Sequence, residues 1–477
     1  MTVERKKIIG RFAWLAAIAA LALVLCSKSS PLYVLNDWMD ANIFFTMGKS
    51  MFGGRVLYRD VFDHKGPVLY FLYGLASLLH RTGFTGVLVL EMLAFTLFLH
   101  YGLRTAEQLA GRVLHPAWAA LPAAAVAASR AFAHGGSAEE LLLPFLGFAL
   151  YGAVKTLDDA RPMPLRTVVL HGFLAGCALW LKYTVLGFYL VWAALLAVVY
   201  LRRGRAARLG QSMAAYLGGM ALATLPWVIY FGVHGALGDW FTCYFYDNLF
   251  LYKGEGGGVL TLAQHLWWAV RDALPAAVLL AAFLLWAVCT KRLAAAVSVA
   301  ALAAGLAFTS LMGGYLVYYG LVLAVFAPLG LAPLAVLVEK WKTPAAVKWA
   351  ALPLCAVWCF ALSPNKTLRF RAADTMPQIR FAAEINGASL LNYGTLDGGF
   401  YTAAGVLPPC KYFCVTNMPL DDQWTDQQAV LSAGTVDYVA ALTGDLSGDF
   451  PQYQVIDRCS YNGGEGEVTW YLYKRMV

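Results

Sequence analysis

About eleven stretches of this 477-residue chain are apolar over roughly the length of a bilayer's hydrocarbon core: 12–28, 84–103, 113–131, 141–157, 166–181, 183–201, 212–233, 268–289, 293–312, 315–338 and 347–363. A core about 30 Å thick takes roughly 20 residues of helix, and the shorter stretches can borrow from their flanks. Hydrophobic residues make up 60% of the chain and charged ones 13%, well away from a soluble domain. The expected fold class is an all-α polytopic membrane protein with about eleven transmembrane helices.

Lys and Arg set the orientation, because short cytoplasmic loops collect them. With the N-terminus inside, every short inside segment is basic: Arg5, Lys6, Lys7 and Arg11 at the start, then Arg104 with Arg112, and so on to Lys340, Lys342 and Lys348. An odd number of spans then puts the C-terminus outside the cytoplasm. The net charge of +8 therefore reports membrane orientation and implies no nucleic-acid partner. The first apolar stretch is expected to be an uncleaved span, since "LVLC" lacks the small residues of a cleavage site.

Two outside segments are too long to be simple connectors: 29–83, and the tail beyond 363. The tail changes character, with "VDYVAAL", "YQVIDRC" and "VTWYLYKR" reading as strands and "DTMPQIRFAAEI" as a helix. This predicts a transmembrane domain over 1–363 and a small extracytoplasmic α/β domain over 364–477. Cys410 with Cys414, or either with Cys459, is expected to be able to form a disulfide in that compartment. In the first segment, "DANIFFTMGKSMF" has the spacing of a surface-lying amphipathic helix. "GPVLYFLYGLASLLH" reads as a second, short helix opened by Pro67.

The charges are concentrated on the outer side. Asp37 and Asp40 follow the first span, and Arg59, Asp60, Asp63, His64 and Lys65 precede the short helix. Glu139 and Glu140 open a later span from its outer end, and Lys182 sits in the next outer turn. Arg130, Lys253 and Arg271 are further basic groups on that face. Taken singly, each reads best as a solvated helix end, and Glu139 and Glu140 suit a helix N-terminus. As a set they lie close to bilayer depth, where ionised groups are costly and usually serve a purpose.

The stretch "DWMDANIFFTMGKSMFGGRVLYRDVFDHKGP", the later acidic pair and the lysine in the following turn resemble the GT-C superfamily of polyprenyl-linked glycosyltransferases. The likeness is to bacterial relatives of protein O-mannosyltransferases and of the lipid A aminoarabinose transferase. It implies a GT-C-like fold in a bacterial inner or plasma membrane. It also implies an inverting transfer of a sugar from a polyprenyl-phosphate donor to an acceptor hydroxyl on a glycan, lipid or protein. Such chemistry needs a carboxylate to take the acceptor's proton and cations around the departing phosphate. The resemblance assigns the base to Asp40, with Asp37 as second choice, and the donor phosphate to Lys65, Lys182 and Arg59. Asp60, Asp63, His64, Glu139 and Glu140 are expected in the sugar or acceptor pocket. One departure is that Met39-Asp40 stands where many members have Asp-Glu.

No cofactor is demanded, although Asp63, His64 and Glu139 are of a type to share a divalent cation. The aromatic stretch at 241–257 reads mainly as an interface anchor, with Tyr246, Asp247 and Asn248 as acceptor contacts and "KGEGGG" as lid material. Two rival readings are a transporter, which should carry charges on both sides of the membrane, and a non-catalytic assembly factor for envelope polymers.

Overall fold

The computed structural model describes residues 3–159, 161–252, 258–340, 345–462 and 466–476. The chain opens with α1 (Val3–Cys26), followed by the shorter α2 (Met39–Phe52) and α3 (Pro67–Leu79). Next come α4 (Thr85–Ala110), α5 (Ala120–Ala127), α6 (Ala138–Asp158), α7 (Leu165–Leu179), α8 (Leu186–Arg202) and α9 (Ala206–Val233). A short α10 (Leu237–Phe241) precedes α11 (Val259–Asp272), α12 (Leu274–Cys289), α13 (Leu293–Leu311), α14 (Leu331–Lys340) and α15 (Ala345–Leu362).

Among the described residues, seven helices are long and apolar enough to cross a membrane, and α11 with α12 makes an eighth broken by a 101° bend. The remaining apolar runs are short helices at Pro116–Ala127, Leu165–Leu179 and Trp349–Leu362. The stretch at 268–289 is thus not one straight span. Pro275 stands in the first turn of α12, where it has no N–H to continue α11, and the axis turns there.

Two compact units result: Met1–Ser27 with Leu90–Pro226 and Gly254–Lys366, and Lys28–Val89 with Trp227–Lys253 and Thr367–Val477. Within the first, the spans cross on small residues. A side chain at Gly187 of α8 would collide with the Gly305 carbonyl of α13, so the backbones meet there as membrane helices do on small residues.

The second unit holds a four-stranded sheet of order β1-β2-β4-β3, from Leu390–Tyr393, Tyr438–Ala441, Tyr453–Asn462 and Glu467–Arg475. β1 runs parallel to β2, and the other neighbours are antiparallel. Leu391, Leu431, Val439, Tyr453 and Tyr473 form its core. The same unit contains the segment that carries the acidic motif, and α2 is not surface-lying. Every residue from Ala41 to Ser50 is buried. Thr46 donates to Asp397 at 2.6 Å, and Lys49 Nζ donates to the Tyr401 carbonyl at 2.7 Å, so the tail covers the face that the sequence left polar.

All nine cysteines are free. The Cys410 thiol pairs with Asp426, and Cys459 Sγ points at the Thr375 carbonyl, so neither is committed to a disulfide.

Candidate active site

In the second unit, Asp40 sits in the first turn of α2, at the positive end of the helix's amide dipoles. Asp37 is placed differently. Lys28 Nζ lies 2.7 Å from one of its oxygens and an Arg371 guanidinium nitrogen 3.5 Å from the other, with 4% of the Asp37 side chain exposed. Both oxygens are taken by cations, so this carboxylate braces the loop.

The "DHKG" turn is strapped by three side chains. Tyr58 donates to the Lys65 carbonyl at 2.7 Å. Tyr70 accepts the Lys65 N–H at 2.8 Å and donates to Asp63 Oδ2 at 2.6 Å, and Asn248 donates to the His64 carbonyl at 2.9 Å. Asp63 and His64 are buried, with His64 Nε2 2.5 Å from Lys65 Nζ. His64 is therefore placed to accept a proton of the ammonium, and Lys65 itself remains half-buried. Asn248 gives its amide N–H groups to the main-chain carbonyls of His64, Cys243 and Tyr244. Tyr246 is 48% exposed and packs on Phe250, away from the turn. Arg59 and Asp60 satisfy each other through hydrogen bonds of 2.8 and 3.0 Å, which hold the Asp60 carboxyl below its ordinary range. Residues 253–257, which include Lys253 and most of the expected lid, lie outside the described residues.

In the first unit, two left-handed glycines, Gly135 (φ +78°) and Gly136 (φ +77°), turn the chain into α6. Ser137 caps that helix by accepting the Glu140 N–H at 3.1 Å. The adjacent glutamates then diverge. Glu139 forms an ion pair with Lys182, whose ammonium also lies 4.0 Å from the Tyr319 ring centroid and 5.6 Å from that of Tyr318. Glu140 turns the other way, to Glu91.

A second charged group lies at the break between α11 and α12. Asp272 is 2% exposed; it accepts from Arg271 at 3.0 and 3.2 Å and from the Tyr315 hydroxyl at 2.9 Å, and Arg130 stands 3.6 Å away. The Arg130 and Arg271 side chains remain 64% and 48% exposed. One buried carboxylate thus holds two guanidinium groups with their outer faces open, an arrangement that can take an anion.

Of the expected cation ligands, Asp63 and His64 belong to the second unit and Glu139 to the first. Among the described residues no group of three His, Cys, Asp or Glu side chains is placed to hold an ion. Glu139 is engaged by Lys182, and Asp63 by Tyr70.

No protein-family model and no curated protein matches the sequence. Solved structures do. ArnT from Cupriavidus metallidurans bound to undecaprenyl phosphate superposes with a TM-score of 0.65 at 16% identity, over 96% of this chain and 98% of that one. Its apo state gives 0.65 at 15%, over 97% of each. The chain shares the fold of these ArnT structures. A likeness to the arabinofuranosyltransferase AftD from Mycobacteria, at TM-score 0.44, 15% identity and coverage of 98% of this chain and 41% of that one, is too loose to argue from.

Three charged groups were not expected from the sequence: Glu91, which meets Glu140 at the Gly136 N–H, Asp272, which holds Arg130 and Arg271, and Lys28, which pairs with Asp37. Glu91 was detectable as a lone carboxylate inside the apolar run "VLVLEMLAF". Asp272 was detectable as a charge just before Leu-Pro in another such run. Lys28 carried no signal beyond its position after α1.

Proposed function

We propose that this chain is a membrane glycosyltransferase that moves a sugar from a polyprenyl-phosphate donor to an acceptor hydroxyl at the outer face, with inversion. The observation that carries this reading is the whole-length fold likeness to an ArnT structure bound to undecaprenyl phosphate. The buried charges support it, since a protein that only spans has no use for Glu139, Lys182 and Asp272 at such depth.

The roles follow from the chemistry. In the second unit, Asp40 is the base that takes the acceptor's proton as its oxygen attacks the anomeric carbon, and Asp37 supports it by fixing the loop. Lys65 meets the donor phosphate, and His64, hydrogen-bonded to its ammonium, sets its direction. In the first unit, Lys182, Arg130 and Arg271 are cations of the kind that steadies growing negative charge on phosphate. Glu139 orients Lys182.

The purified protein, mixed with a radiolabelled polyprenyl-phosphate sugar and an envelope extract, should consume donor and release polyprenyl phosphate. Donor that persists in the presence of folded protein, across pentosyl and hexosyl forms, refutes the reading. The same assay separates it from the transporter and the assembly factor, neither of which breaks a glycosidic bond.

A further inference from the structure

Glu91 lies in α4 six residues from its start, within an apolar run, and is fully buried. Its carboxyl accepts the Ser27 hydroxyl at 2.8 and 3.0 Å and the Gly136 N–H at 2.7 Å. That same N–H reaches Glu140 Oε2 at 3.0 Å, so the two carboxyls converge on one donor. Glu140 is 1% exposed, and its Oε1 receives no other donor. Ionised carboxylates only accept, so two that meet at a single N–H can bond to each other only through a hydrogen that one of them carries. Two adjacent like charges out of water would instead repel strongly.

The pair grips the point where α6 begins. A side chain at Gly135 would fall on Ser27 Oγ and Glu91 Oε1, so the turn fits only as glycine, seated on α1 and α4. Ser137 follows as the cap, and Glu139 and Glu140 leave the first turn in different directions. Whatever holds Glu140 therefore also sets the angle at which Glu139 meets Lys182.

We propose that Glu91 and Glu140 share one proton and act as positioning residues, fixing the start of α6 and through it the Glu139–Lys182 pair. The second half of this statement rests on the reading that Glu139 and Lys182 serve sugar transfer. The first half rests on geometry alone.

The test uses the full-length protein in phospholipid nanodiscs. Infrared difference spectra between H2O and D2O should show the carbonyl stretch of a protonated, buried carboxyl in the wild type, and it should vanish in both Glu91→Gln and Glu140→Gln. An amide can supply the hydrogen that the proton supplied, so Glu91→Gln should keep kcat within about threefold. Glu91→Leu should lower kcat more than tenfold while donor KM stays within twofold, because phosphate charge would still be met but from a displaced α6. A thermal midpoint is taken for each variant. If Glu91→Leu does not fold, Glu140→Leu is measured in its place. A band that survives both glutamine variants, a glutamine variant as impaired as leucine, or a folded leucine variant with wild-type kcat overturns the proposal. Wild-type protein that consumes no donor overturns the proposed function instead, and the infrared band still decides the shared proton.

Discussion

Replacing Lys182 by Met removes the ammonium and keeps most of the aliphatic stem. The partner, Glu139, is then left charged with 3% of its side chain exposed. Breaking a buried pair on one side costs about 3–5 kcal/mol, because the remaining charge keeps its desolvation penalty and loses its counter-ion. The stacking of the ammonium on Tyr319 is worth about 2 kcal/mol at most and overlaps with that figure. The expected loss is thus about 3–5 kcal/mol, read as a lowered unfolding midpoint by tryptophan fluorescence in detergent. Adding Glu139→Gln removes the stranded charge, and the double variant should recover most of the stability, giving a coupling energy well above the roughly 0.5 kcal/mol expected of independent sites. Its turnover should nevertheless stay at least about a hundredfold down, the scale of losing one preorganised electrostatic contact. A single variant within about 1 kcal/mol of wild type would show that the pair is not the buried unit described. A double variant that is stable and fully active would remove both residues from the chemistry.

Three further outcomes are expected. Asp40→Asn should bind undecaprenyl phosphate as the wild type does yet transfer no sugar, and retained turnover in the donor assay would reassign the base. Lys65→Ala should weaken donor affinity as well as rate, so an unchanged donor KM counts against its phosphate contact. Burial pushes the Lys49 ammonium down to about 7 from 10.5. The native state then resists its proton, so below pH 7 the penalty is present in full, and between about pH 7 and 10.5 stability should rise by about 1.4 kcal/mol per unit. Lys49→Met should abolish that rise, and parallel pH curves for the two proteins would refute the burial argument.

What the sequence revealed, and what it concealed, divides along physical lines. The spans were legible because a bilayer imposes a length on an apolar run regardless of what surrounds it, so the stretches at 84–103 and 293–312 appear as α4 and α13. The break at Pro275 was legible in principle, but an apolar count across 268–289 passes over a single proline. The burial of α2 was not legible. Asn42, Thr46 and Lys49 look like a wet face until Asp397 and Tyr401, some 350 positions later, cover them. In the candidate site, residue types were readable and pairings were not. Arg59 and Asp60 looked like two separate contributors and instead neutralise each other. Glu139 and Glu140 looked like a pair and in fact serve different partners, which a helix start with neighbours on two sides permits and a linear reading cannot distinguish.

The unit that holds the acidic loop is assembled from three stretches of chain, 28–89, 227–253 and 367–477. Ribosomes make the first of these long before the last. Until the stretch with Asp397 and Tyr401 has been delivered, Thr46 and Lys49 lack the partners that line them. A nascent polypeptide that has reached only as far as its spans would thus sit in the bilayer without the partners that line α2.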